Sequence, residues 1–377
     1  MMQIKTLKSL FKTHKESSLF GRYIQAKNIA PLLNKLKEKM EIHEVGLSVN
    51  GLPIQTITFG SGDKKILMWS QMHGNESTTT KAVFDMLNVF LEDDIDTKHI
   101  LNTCKICIIP MLNPDGAQLY TRLNANEIDL NRDAQELSQP ESVVLRTVFE
   151  GFKPHFCFNL HGQRTIFSAG NTNKSATVSF LAPAQDEDRA VTSNRKIAME
   201  IISVMNNNLQ SQIPNQVGIY DDGFNINCVG DTFQAANVPT VLFEAGHYAN
   251  DYNREYTREF IFQSLLVSLD YIALNTIIGE HYKPYLEIPQ NEKLFFDIII
   301  RNTNAQDIAI QYKETLIGSE LIFVPKIEQI SDLSDFFAHK EIDANGYEVF
   351  GENNTMLKVG IEIVFVVINN EIISLKV

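Results

Sequence analysis

The stretch Lys65-Ile66-Leu67-Met68-Trp69-Ser70-Gln71-Met72-His73-Gly74-Asn75-Glu76 sets the frame for the whole chain. Its first six residues are a short apolar run, the pattern of a strand buried on both faces. A polar loop follows. Over 77–91, Val83, Leu87, Phe90 and Leu91 then recur at helical spacing. The same unit repeats further on: 104–110, 156–160 and 238–243 read as strands, and 187–210 and 253–275 as helices. Upstream, Glu44-Val45-Gly46-Leu47-Ser48-Val49 and Ile54-Gln55-Thr56-Ile57-Thr58-Phe59 alternate apolar and polar about a turn at Gly51, which predicts an antiparallel strand pair. Residues 1–40 mix Lys with Leu and Ile at loose helical spacing, a helical lead-in. Strands alternating with helices predict an α/β fold, a mixed central sheet covered by helices on both faces.

The pattern changes after about residue 282. His281-Tyr282-Lys283-Pro284 reads as a linker, and runs such as Leu294-Phe295-Phe296-Asp297-Ile298-Ile299-Ile300 are β-type. Two domains are expected: residues 1–282, carrying the chemistry, and a small β-rich C-terminal domain over 283–377. With 44% hydrophobic and 21% charged residues, the chain has enough apolar material for a core, so disorder is excluded as its main state. The net charge of −13 and a pI near 5.2 argue against nucleic acid as a partner. No apolar stretch is long enough to span a membrane, and Lys residues interrupt the apolar residues at the N-terminus, so no secretory core forms. Four cysteines are too few for a disulfide scaffold. A reduced, cytoplasmic setting is expected, with the oligomeric state left open. Cys104 and Cys107 share C-x-x-C spacing, but on a strand their side chains tend to opposite faces and read as core.

The chemistry lies at the ends of these strands. His73 and Glu76 are three residues apart just ahead of a helix, so both can face one point. An imidazole beside a carboxylate suits zinc, although such a pair taken alone is more often a solvated turn, and Gly74 is expected to relax the turn between them. His161 follows the 156–160 strand. As a third ligand it would leave the fourth position open, as in a catalytic zinc site; taken alone, it reads better as a hydrogen-bonded core histidine. Between these lie Asn113-Pro114-Asp115-Gly116, then Arg122, then Asp129-Leu130-Asn131-Arg132-Asp133. Two arginines ten apart in an apolar-poor segment suit anion recognition, because a guanidinium grips a carboxylate through two parallel hydrogen bonds; the alternative, the commoner one for an isolated arginine, is that both are surface residues of a long loop. Glu244 closes a buried apolar run, where desolvation raises a carboxyl toward the range of a general base; the alternative is a structural Glu paired with a nearby cation. Tyr220 stands in a loop that either places a phenol over a pocket or simply packs a turn.

The set His73-x-x-Glu76, Asn113-Pro114-Asp115-Gly116, Arg122, Asn131-Arg132, His161 and Glu244 resembles, in order and spacing, the zinc metallocarboxypeptidases of the carboxypeptidase A type, over roughly residues 45–275. The resemblance implies one zinc ion per chain, held by His73, Glu76 and His161. It implies that Arg122 polarises the scissile carbonyl and that Asn131 and Arg132 hold the substrate's terminal carboxylate. Glu244 would be the general base and acid, and Tyr220 matches the family's mobile tyrosine by distance. The implied activity is hydrolysis of a C-terminal peptide bond.

Other readings stand beside this one. An N-acyl amino acid amidohydrolase of the succinylglutamate desuccinylase/aspartoacylase type shares the His-Gly-Asn-Glu start and the small β-rich C-terminal domain, with an acylated amino acid in place of a peptide as substrate. A non-catalytic binding protein on the same scaffold is the third. Glu244 and His247, three apart, form an alternative metal pair, at the expense of the base. Arg164 faces either substrate or solvent. Asp231, in the Asn227-Cys228-Val229-Gly230-Asp231-Thr232 stretch, either selects a basic side chain or serves the loop, the latter being the simpler reading. The C-terminal domain is open to three uses: partner surface, oligomer contact or pocket lid.

Overall fold

The computed structural model describes residues 2–92 and 95–377. Nine strands form the first part of the chain: β1 (Glu41–Leu47), β2 (Pro53–Phe59), β3 (Lys64–Ser70), β4 (Cys104–Ile109), β5 (Phe156–Gly162), β6 (Ser168–Ala169), β7 (Val178–Leu181), β8 (Val217–Ile219) and β9 (Thr240–Ala245). Its helices are α1 (Ile4–His14), α2 (Ala26–Leu36), α3 (Thr78–Leu91), α4 (Lys98–Thr103), α5 (Pro114–Leu119), α6 (Pro140–Phe152), α7 (Ser193–Gln210), α8 (Val229–Ala235) and α9 (Glu255–Leu274). Apart from β6, the strands join in one eight-stranded sheet, β1-β2-β4-β3-β5-β9-β7-β8. The middle of the sheet, β4-β3-β5-β9, is parallel. The β1–β2, β2–β4 and β7–β9 pairings are antiparallel. The sheet is therefore mixed, as the sequence pattern predicts.

Alternation along the strands divides the core in two. Ile66 and Met68 of β3 pack with α1, α3, α7 and α9, whereas Leu67 and Trp69 pack on the other face with α6 and α8. Cys104 falls in the first cluster and Cys107 in the second, both buried, which matches their reading as core residues on opposite faces. Helix α3 is buried nearly all round, since it lies under α9 as well as on the sheet. A buried bidentate pair, Arg258 Nη2 to Asp85 Oδ1 (2.6 Å) and Nε to Oδ2 (2.7 Å), joins these two helices. The same guanidinium donates to the carbonyls of Glu16 and Leu19, fastening the N-terminal lead-in to them. The helix expected over 187–210 begins only at Ser193, where the Thr192 hydroxyl accepts from the Arg195 amide and caps it.

Beyond α9 the stretch read as a linker leads into a 3₁₀ turn, Lys283–Glu287, with Tyr285 buried. Strand β10 (Asn291–Glu292) pairs with β6. Then β11 (Phe295–Arg301), β12 (Asp307–Ile317), β13 (Glu320–Ser331) and β14 (Phe337–Asp343) form a sheet ordered β13-β12-β11-β14. A smaller sheet holds β15 (Val349–Phe350), β16 (Phe365–Ile368) and β17 (Glu371–Ser374). Ile298, Ile300, Ile308, Ile310, Ile327 and Val366 make a separate core for this C-terminal part. No helix among the described residues is long and apolar enough to cross a membrane.

Candidate active site

Parallel strands open a crevice where their carboxyl ends point outward, and here β3, β5 and β9 deliver the three decisive segments. β3 ends at Ser70 and the chain turns sharply. The residue in the left-handed region is Gln71 (φ 50°), not Gly74. Gly74 is needed for a different reason than the sequence suggested: a Cβ there would lie 1.9 Å from the Gly116 carbonyl carbon, so only glycine lets this loop pass the start of α5. Gln71 Nε2 donates to the Gly74 carbonyl (2.8 Å) and closes the turn that carries His73 and Glu76.

The loop brings both side chains to His161 on β5. His73 Nδ1 lies 2.8 Å from Glu76 Oε1, His161 Nδ1 lies 2.9 Å from Glu76 Oε2, and the two Nδ1 atoms are 3.1 Å apart. His73 Nε2 donates to Asp129 Oδ1 (3.0 Å), which leaves the Nδ1 lone pair facing inward. Two imidazole lone pairs and a carboxylate thus converge, an arrangement of acceptors that needs a cation between them. Two Zn–N bonds of tetrahedral zinc set their nitrogens about 3.4 Å apart, close to the observed separation. The donor set, spacing and burial fit zinc, and these three are the only such metal-binding group among the described residues. Burial works against charge on Glu76, but His73 and His161 hold its carboxyl well below the usual range. Burial likewise lowers His161, keeping it neutral as a ligand must be.

Glu244 stands beside this centre by strand register, since β5 and β9 pair His161 with Glu244. Its Oε2 is buried with no hydrogen-bond partner. Burial first, and the charge of Glu76 next, push its carboxyl well above the ordinary value, while Arg122 and Arg254 pull it back. Beneath it Arg254, fully buried, donates to the Ala245 carbonyl and to the Gln163 carbonyl (2.7 Å), joining the ends of β9 and β5.

Arg122 reaches the same centre. Its Nη1 is 3.4 Å from Glu76 Oε1, and Nη2 bonds Asp129 Oδ2 at 3.0 Å. Asp129 is therefore shared between His73, Arg122 and the Asn131 amide (2.9 Å), which hold it ionised against its burial. Asn131 Oδ1 accepts from the Val229 amide (3.0 Å) and fixes the first turn of α8, leaving its amide nitrogen for a ligand. Arg132 is exposed and has no carboxylate partner among the described residues; its Nη1 reaches the Asn131 carbonyl (2.7 Å) and Cys228 Sγ (3.1 Å). Tyr220 packs edge-on against Phe167, ring centroids 5.5 Å apart, and lines the cleft with its hydroxyl pushed up to about 12 by burial and by Glu244. All eight residues named from the sequence line one cleft of about 680 Å³.

Arg164 and Asp231 line it too, the latter in the first turn of α8. His247 does not. It is buried against His339 and Tyr252, so the alternative metal pair with Glu244 does not form. Sequence reading gave no role to Asp129, although it stands within a quoted motif. It also gave none to Arg22, Arg254, Lys293, Tyr312, Lys313 and Glu314, which complete the cleft wall. Arg22 pairs with Glu314 of β12, and Tyr120 donates to the same carboxylate (2.6 Å), so the N-terminal lead-in, the catalytic part and the C-terminal sheet meet there.

The zinc carboxypeptidase family model matches residues 28–258, more than half of the chain. The chain belongs to the zinc carboxypeptidase family. Among sequence relatives, this zinc carboxypeptidase family member is 28% identical to carboxypeptidase E of Caenorhabditis elegans over 152 residues, 33% of this chain and 32% of that protein. The chain thus spans about a third of the length of that curated relative. Among solved structures, a metallo-carboxypeptidase from Burkholderia cenocepacia superposes with a TM-score of 0.52 at 17% identity, over 66% of this chain and 69% of the other. A Pseudomonas aeruginosa metallo-carboxypeptidase, solved with (2-guanidinoethylmercapto)succinic acid, gives 0.51 at 16% identity over 66% and 69%. These likenesses establish the fold.

Proposed function

We propose that the protein is a zinc-dependent hydrolase that removes C-terminal residues from peptides, recognising the free terminal carboxylate. The observation that carries the reading is the buried convergence of His73, Glu76 and His161 with the unpartnered Glu244 oxygen in register beside them. Zinc bound to the three ligands would supply Lewis acidity toward a carbonyl and toward water. Glu244, raised by burial, takes a proton from the attacking water and passes it to the leaving amine. Arg122, held by Asp129, presents its guanidinium to the negative charge that grows on the carbonyl oxygen. Arg132, exposed and free of any carboxylate among the described residues, grips the substrate's terminal carboxylate with Asn131, whose own orientation is fixed by Val229. Tyr220 closes the cleft over the substrate.

The test pairs metal analysis with a substrate panel: peptides with a free C-terminus, the same peptides amidated, and N-acyl amino acids. About one zinc per chain, with cleavage of free peptides suppressed by amidation, is the expected result. Equal cleavage of amidated peptides, or turnover of N-acyl amino acids alone, would overturn the assignment.

A further inference from the structure

The cations along the cleft are not equivalent. Arg22 is answered by Glu314, Arg122 by Asp129, and Lys313 by Glu362 (2.8 Å), while Arg254 is spent on backbone carbonyls. Arg164 and Lys293 also line the cleft, are exposed, and make no ion pair or hydrogen bond among the described residues. Within the cleft these two differ from the other cations in having neither a carboxylate nor a backbone carbonyl as partner among the described residues.

The two side chains come from segments far apart in sequence that the fold holds together. Arg164 leaves β5 just after His161, and Lys293 follows β10. Strand β10 pairs with β6, and the Phe295 amide donates to the Ile166 carbonyl (3.0 Å). Thr165, between Arg164 and Ile166, is fixed from the C-terminal side twice: Gln311 donates to its hydroxyl (2.6 Å) and His339 to its carbonyl (2.8 Å). Both cations therefore ride on pinned backbone. This wall differs from the one that carries Arg132, which is built by Asn131 and α8.

We infer that Arg164 and Lys293 form a subsite for a carboxylate on the acyl side of the scissile bond, so that the preferred substrates are acidic peptides, with Lys293 supplied by the C-terminal β part. The inference rests on the peptidase reading above. With Arg132 holding the terminal carboxylate, the rest of the peptide extends from the reacting carbonyl along the parts of the cleft wall that Arg132 does not occupy, where Arg164 and Lys293 stand. A glutamyl or aspartyl side chain there meets two unanswered cations, one of them a guanidinium able to bind it bidentately. A lysyl side chain meets like charge, which costs affinity.

The experiment measures kcat/KM for two peptide series with the same C-terminal residue and either Glu or Gln before the scissile bond. The probe proteins are the native chain, R164Q, K293Q and the double variant, with zinc content as the control for folding. The native protein is expected to favour Glu by at least about tenfold, less at high salt as screening grows. The double variant should bring the ratio near one, and R164K should restore part of it. Cleavage of both series with no preference for Glu would refute the subsite while leaving the peptidase reading intact. So would a preference that survives in the double variant. Failure to cleave any free-carboxylate peptide would remove both.

Discussion

His73 with His161 and His247 with His339 are both pairs of closely packed imidazoles. Their ring centroids lie 4.7 Å and 4.3 Å apart, and their planes are tilted by 45° and 57°. Both pairs sit in or beside the catalytic part, yet their surroundings differ in kind. Around the first, Glu76 faces both inward nitrogens and Asp129 orients one ring from behind. Around the second, no carboxylate bonds either ring among the described residues: both His247 nitrogens lack partners there, and His339 donates to the Thr165 carbonyl. Burial then keeps the second pair neutral, His339 at about 4 and His247 well below its ordinary value, with Arg254 adding to the effect. Proximity of histidines does not make a metal centre. Carboxylates that hold the rings and share the charge do.

The strongest way to break the contrast is to remove a ring from each pair. H161A should lower bound zinc from about one per chain to below about a tenth and abolish turnover, whereas H339Q should retain its zinc. Metal analysis after extensive dialysis checks both, and loss of zinc in H339Q would erase the distinction. Next in size is E244Q. Glu244, the proposed base, is not among the three ligands, so zinc should stay while kcat falls by about 10²–10⁴, read in steady-state assays. Activity near that of the native protein would take Glu244 out of the mechanism. A smaller effect belongs to the carboxylate behind the ring: D129N should weaken zinc about 10–100-fold in competition with a chelator, without removing any ligand.

The last prediction concerns the neutral pair. The unfolded chain protonates His339 near 6.5, while the folded one holds it neutral down to about 4. Its contribution to stability is therefore complete above pH 6.5 and is lost as pH falls toward 4, by at most about 3 kcal/mol. Urea midpoints between pH 7.5 and 4.5 should fall less steeply in H339Q than in the native protein. Equal slopes would show that His339 carries no linkage to acid.

His73, Glu76, His161 and Glu244 were legible because each follows a strand signal, and strand ends in a parallel sheet are where chemistry gathers. The mixed sheet was legible because the antiparallel pair about Gly51 precedes the buried parallel runs. The fate of His247 was not legible, because spacing from Glu244 says nothing about His339, 92 positions later, which occupies the space beside it. The cleft wall was hidden for the same reason. Glu314, Lys313 and Lys293 look like ordinary polar positions on strands and turns, and only the pairing of β6 with β10 and the docking of β12 bring them to the site. Gly74 was recognised as necessary but for the wrong cause, since close approach of one backbone to another leaves no local mark.

The guanidinium of Arg254 has one further consequence. By clasping the carbonyls of Gln163 and Ala245, it couples the fraying of two neighbouring strands, one bearing an ion ligand and the other the proposed proton carrier. Under heat or denaturant these groups should part company together, so that release of the ion and extinction of turnover coincide in a single step.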